Sequence, residues 1–110
     1  MQFFLDTADL NEIRTGLDWG MVDGVTTNPS LVAKQGKRYL DTVREVAALV
    51  PGPVSGEVLA TELEGMLTQG RTLAAIAANI VVKVPLSPAG LQAVRVFAKD
   101  GIRCNVTLCF

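Results

Sequence analysis

The chain has 110 residues, 49% of them apolar, which is enough for one globular domain with a core and too apolar for a disordered segment. Ten basic and eleven acidic residues leave a formal net charge of −1, so the electrostatic footprint of a nucleic-acid binder is absent. No apolar run approaches the roughly 20 residues of a membrane span and the N-terminus carries no signal-peptide pattern, so a cytoplasmic protein without membrane partners is expected.

Gln2-Phe3-Phe4-Leu5 is a short apolar run ending at Asp6 and reads as a strand. Asp9 and Glu12 have the spacing of a capping box, Leu10, Ile13 and Leu17 continue it as a helical stripe, and Gly20 suits the C-cap. Gly24-Val25-Thr26-Thr27 reads as the second strand, stopped at Asn28-Pro29 because the residue before proline prefers extended geometry. Pro29 suits a first helical turn, and a longer helix then carries Leu40, Val43, Val46, Ala47 and Val50 inward as far as Pro51-Gly52-Pro53. Val54 to Val58 is the third strand. Thr61 to Glu64 matches a second capping box, opening a helix that buries Leu63, Met66, Leu67, Leu73, Ala74 and Ala77. Ile80 to Val84 is the fourth strand. Ser87-Pro88 is an N-cap with proline after it, and Leu91, Val94, Phe97 and Ala98 form the stripe of a fourth helix, broken by Gly101. Arg103 to Leu108 is the fifth strand. Five strands alternating with four helices predict successive βα units around a parallel sheet.

Side chains alternate faces along a strand. One parity collects Phe3, Leu5, Val25, Val54, Val58, Val82, Val84, Cys104, Val106 and Leu108, all apolar and fit to lie beneath helices. The other collects Phe4, Asp6, Thr26, Asn28, Ser55, Glu57, Val81, Lys83, Asn105 and Thr107, with the polar residues mostly toward the C-terminal halves of the strands. In a (β/α) barrel that second face is the interior, and active sites form at the C-terminal ends of its strands. An open doubly wound sheet would cover the same residues with helices, at a cost in desolvation. Parity therefore predicts an α/β fold of parallel TIM-barrel type.

Histidine is absent, which removes the commonest general base and metal ligand. Cys104 and Cys109 fall on opposite faces of one extended segment, so they are not expected to pair, and alone they make no zinc site. No metal and no cofactor is expected. The chemistry then rests on Lys, Asp, Glu, Thr, Ser, Asn and backbone groups. Lys83 stands out in Ile80-Val81-Val82-Lys83-Val84-Pro85. By itself such a lysine reads as a side chain snorkelling from a strand end or as a desolvated amine able to form a Schiff base. Its place on the inner face with Asp6 and Glu57 favours the second reading, and a structural ion cluster stays open beside it.

The segments Leu5-Asp6-Thr7-Ala8, Gly24-Val25-Thr26-Thr27-Asn28-Pro29-Ser30, Val81-Val82-Lys83-Val84-Pro85, and Gly101-Ile102 followed by Asn105-Val106-Thr107-Leu108 together resemble transaldolases. The resemblance is to the small bacterial subfamily that includes the fructose-6-phosphate aldolases, and it runs from Met1 to Phe110. It implies a TIM barrel, a class I aldolase reaction and a Schiff base on Lys83. Asp6 would be the acid/base, Glu57 and Thr107 the pair that holds a water for proton transfer, and Thr26, Asn28 and Asn105 would bind or enclose the dihydroxyacetone portion. Sugar phosphates are the implied substrates. Fructose-6-phosphate aldolases carry glutamine where this chain has Glu57, so transfer of a dihydroxyacetone unit is expected over simple aldol cleavage.

The family barrel has eight strands and roughly 250 residues. These residues supply the first five strands and four helices, so residues 1–110 are expected to be the N-terminal part of a single (β/α)8 domain. The family's serine and arginine residues for the substrate phosphate, and the C-terminal helix used in homo-oligomer contacts, have no counterpart here. The first and fifth strands should therefore have open edges, and the 110 residues alone are expected to have little or no transaldolase activity. Fructose-6-phosphate aldolase activity and an inactive half-barrel scaffold are the alternatives.

Overall fold

Strand order in the sheet is the order of synthesis. The computed structural model describes residues 1–109. It runs β1 (Phe4–Asp6), α1 (Leu10–Asp18), β2 (Gly24–Thr26), α2 (Pro29–Lys34), α3 (Tyr39–Leu49), β3 (Val54–Glu57), α4 (Leu63–Ala74), β4 (Ile80–Pro85), α5 (Pro88–Lys99) and β5 (Cys104–Thr107). The five strands form one sheet in the order β1-β2-β3-β4-β5, every pair parallel. The sheet is curled. Asn105 Nδ2 donates to Ser55 Oγ at 3.4 Å, although β4 lies between their strands. A flat sheet would hold β3 and β5 about 10 Å apart, so the inner side chains of these strands must converge. The architecture is a half barrel, consistent with a partial TIM barrel.

The predicted parity holds through the middle of the sheet. Val25, Val54, Val82 and Val84 are fully buried, and along β4 every second residue is buried while its neighbours are only partly so. Ile13, Val43, Val46, Met66, Leu73, Ala93 and Phe97 pack onto this face from the helices. Parity weakens at the ends, where Phe3 and Leu108 are 47% and 60% exposed because no further strand or helix covers them. Gly70 of α4 lies so close to Phe97 of α5 that a Cβ there would meet the ring at 2.2 Å. That absent methyl sets how closely the two helices approach.

Several element boundaries differ from the sequence expectation. The segment after β2 forms two helices rather than one, separated by a turn in which Gly36 has φ +68°. This makes five helices where four were expected, and it leaves Leu40 41% exposed near the start of α3. The Thr61 capping box does not form. Glu62 is the N-cap of α4 without a side-chain bond, and Gln69 instead reaches back, its Oε1 accepting from Leu59 N–H and Ala60 N–H. In α5 the buried positions are Gly90, Ala93 and Phe97, while Leu91 is 53% exposed. Asp9 does cap α1, accepting from Asn11 N–H and Glu12 N–H, but Glu12 accepts from the Thr7 hydroxyl rather than from Asp9 N–H. Gly20 follows the helix with φ +70°, as its C-cap role requires. Ser87 and Pro88 open α5 as expected, and Cys104 and Cys109 are both free thiols.

Candidate active site

Register places the polar inner face in two rows. Asp6, Thr26, Ser55 and Val81 are successive Cα partners from β1 to β4. One step nearer the C-terminal ends, Glu57, Lys83 and Asn105 are partners across β3, β4 and β5. Thr107 follows on the same face of β5, opposite Pro85. Parallel pairing without bulges carries these residues to one end of the half barrel.

Lys83 Nζ lies 3.8 Å from Glu57 Oε2, with side chains 12% and 22% exposed. The ion pairs elsewhere among the described residues have partners at least 39% exposed. Removing two charges from water costs several kcal/mol per ion, so a shielded pair of this kind contributes little net stability. Such a pair does bring an amine and a proton acceptor together in a sheltered place, an arrangement that amine chemistry can use. With its side chain 12% exposed and its amine near Glu57, Lys83 lies against the concave face, which disfavours the snorkelling alternative.

The remaining predicted residues share the face but not a single contact network. Asn105 flanks Lys83 in register and donates to Ser55 Oγ. Thr26 is partly buried between Asp6 and Ser55. Asn28 is the N-cap of α2, with Oδ1 accepting from Leu31 N–H at 3.0 Å, so that oxygen is already engaged. Asp6 is exposed, and among the described residues no hydrogen bond or ion pair joins the side chain of Asp6 or Thr107 to Lys83 or Glu57. The close grouping of Asp6 with Lys83 expected from parity is therefore a shared face rather than a contact, since β2 and β3 separate their strands.

Three further residues build the end of β3. The hydroxyl of Tyr39, the single tyrosine, accepts from Glu57 N–H at 2.6 Å and lies 3.2 Å from Thr27 Oγ1. Thr27 is fully buried, and its hydroxyl donates to the Ser55 carbonyl at 2.9 Å. Burial pushes the Tyr39 phenol above its ordinary value of 10.0; hydrogen bonding to Thr27 and to the Glu57 backbone partly offsets this, and the Glu57 carboxylate adds to it. Ser55 was already on the inward-facing parity in the sequence. Tyr39 carried no such signal, because its position follows from the turn that separates α2 from α3.

A cavity of about 710 Å³ is a groove along β1 and α1 lined by Phe3, Phe4, Asp6, Trp19 and Met21 among others. It exists because nothing pairs with the free edge of β1, and it lies away from Lys83. A smaller hollow of about 270 Å³ reaches Glu57 from the side of Tyr39, Leu59 and Leu73. Among the described residues no group of three or more His, Cys, Asp or Glu side chains is arranged to hold a metal ion.

Residues 3–110 match the protein family described as Transaldolase/Fructose-6-phosphate aldolase. Curated relatives named "Probable transaldolase" include one from Rhodospirillum centenum, 58% identical over 110 residues, covering all of this chain and 48% of the relative. Another from Shouchella clausii is 56% identical and one from Anaeromyxobacter sp. is 53% identical, each match covering this whole chain and 51% of the relative. The chain thus spans about half the length of the curated relatives it matches.

Proposed function

The chain belongs to the transaldolase/fructose-6-phosphate aldolase family, and from that premise we propose that it is the N-terminal part of a single barrel domain catalysing dihydroxyacetone transfer through a Schiff base on Lys83. The observation that carries this reading is the sheltered approach of Lys83 Nζ to the Glu57 carboxylate on the concave face.

Attack on a ketone requires the free amine, and the Glu57 carboxylate, 3.8 Å from Nζ, can accept the ammonium proton. The Lys83 amine adds to C2 of sedoheptulose 7-phosphate to give a carbinolamine, which loses water to form an iminium. The iminium draws electrons from the C3–C4 bond as Asp6 accepts the C4 hydroxyl proton, and erythrose 4-phosphate leaves. The enamine that remains adds to the aldehyde carbon of glyceraldehyde 3-phosphate, Asp6 returns its proton, and hydrolysis of the new iminium releases fructose 6-phosphate and Lys83. Positioned proton transfers of this kind each contribute about 10²- to 10⁴-fold. Glu57 and Thr107 hold the water that is lost and regained, while Thr26, Asn28 and Asn105 surround the dihydroxyacetone portion. This is a step of the pentose phosphate pathway, and the cytoplasm is the compartment assigned to it. The phosphate-binding residues and the homo-oligomer contacts are assigned to a protein of the relatives' length.

The family description covers aldol cleavage as well as transfer. Glu57 and the relatives named probable transaldolase favour transfer. The full-length protein should release fructose 6-phosphate only when an aldose phosphate acceptor is supplied, and release of free dihydroxyacetone at a matching rate would favour the aldolase reading. Borohydride should trap the ketose on Lys83, and Lys83→Arg should abolish the trapped adduct because a guanidinium forms no imine. A trapped adduct surviving in that variant would place the nucleophile elsewhere.

A further inference from the structure

The end of β3 is held by an unusual partner. Thr27 N–H donates to the Ser55 carbonyl at 3.0 Å, and a regular parallel ladder would next give Glu57 N–H the Thr27 carbonyl. The chain turns away at Asn28-Pro29 into α2, and the Tyr39 hydroxyl accepts the Glu57 N–H instead, at 2.6 Å. A buried amide left without an acceptor is costly, so this replacement decides where the backbone of Glu57 sits.

The hydrogens have one consistent arrangement. Thr27 has a single hydroxyl proton, and it goes to the Ser55 carbonyl. The Tyr39 proton must then go to Thr27 Oγ1, which leaves a lone pair of the phenol for Glu57 N–H. Glu57 N–H, Tyr39 O–H and Thr27 O–H thus form a one-way chain ending at the carbonyl of Ser55, two residues before Glu57 on the same strand. The loop closes on β3 itself. On the opposite side Val58 N–H donates to the Lys83 carbonyl at 3.1 Å, so the backbone around Glu57 is pinned from β4 and from α3 together.

We propose that Tyr39 is a positioning residue for Glu57: its hydroxyl fixes the backbone that aims the carboxylate at Lys83, substituting for the ladder bond that β2 fails to supply. The role rests on the Schiff-base reading of Lys83. The phenol borders the hollow between α3 and α4, and its hydroxyl bonds to the Glu57 backbone and Thr27 rather than to Lys83, so its role is to hold Glu57 rather than to react.

The test is Tyr39→Phe in the full-length protein, which removes one oxygen and keeps the ring. Two readouts are needed: borohydride trapping of fructose 6-phosphate, as rate and half-saturation, and amide hydrogen exchange at Glu57. The trapping rate at saturation should fall about tenfold or more, since small misplacements of reacting groups carry penalties of that size, while half-saturation stays within about twofold. Exchange at Glu57 should accelerate by about tenfold or more as its acceptor is lost. Thr27→Val, which removes the acceptor of the Tyr39 proton, should move both readouts the same way by less, and it serves if Tyr39→Phe folds poorly. Faster exchange with unchanged trapping would make the hydroxyl purely structural and overturn the proposal; unchanged exchange would overturn it as well. Failure of the wild type to trap ketose would remove the Schiff-base reading and the positioning role with it, and the exchange data would still say whether the hydroxyl holds Glu57.

Discussion

Lys83 and Glu57 face each other because a single register step pairs their Cα atoms, and both side chains then turn onto the concave face, 12% and 22% exposed. Parity exposed this arrangement in the sequence, since the opposite face of each strand was apolar throughout. Register was not legible there. It is register that sets Asp6 level with Thr26 and Ser55 rather than with Lys83, and it separates the two carboxylates that parity had merely put on one face. Tyr39 and Cys104 carry a separate consequence. Burial raises both acids above their ordinary values of 10.0 and 9.0, so the folded chain keeps protons that the unfolded chain gives up. Stability is whole below pH 9 and declines as the pH passes 9 for the thiol and then 10 for the phenol. Urea midpoints measured from pH 8 to pH 11 should show that decline, with a shallower slope in Cys104→Ala above about pH 9 and in Tyr39→Phe above about pH 10.

Helix starts show where sequence patterns fix an element and where they do not. Ser87-Pro88 and Asn28-Pro29 place a capping side chain before a proline whose missing N–H costs nothing in a first turn, and both caps form, Ser87 accepting from Gly90 N–H at 3.0 Å. Thr61 has no proline after it, only the spacing of a capping box with Glu64, and α4 starts instead from Glu62 without a side-chain cap, while Gln69 from within the helix accepts the Leu59 and Ala60 amides. Ser87→Ala should cost about 1 kcal/mol by urea denaturation and Thr61→Ala almost nothing, because only the first removes a hydrogen bond. An equal loss at both positions would mean that Thr61 caps α4 after all. The division of α2 from α3 was hidden for a different reason. α2 has only six residues, too few for a periodic stripe to declare itself, and the apolar positions on both sides of Gly36 read as one helix.

At the scale of the molecule, the open edges of β1 and β5 were legible from the number of strands alone. The apolar groove was not, since it needs Trp19 and Met21 of the α1 end folded beside Phe3 and Phe4. These four side chains are 45% to 74% exposed along the free edge of β1. β1 is only three residues long, but an exposed apolar patch beside an unpaired edge recruits other chains. A polypeptide of these 110 residues alone should therefore self-associate as its concentration rises, seen as a growing sedimentation coefficient. Phe4→Lys should reduce the effect, because an inward charge on an edge strand opposes pairing. A strictly monomeric wild type at high concentration would show that the edge is protected.

Because strand order in the sheet follows the order of the chain, each strand emerging from a ribosome meets a partner that has already been made. Domains begin to organise from the N-terminus while synthesis continues at about 5–20 residues per second, and pairing neighbours in sequence keeps the closed loops short. The half barrel can thus grow one βα unit at a time, each new strand pairing with the one made just before it.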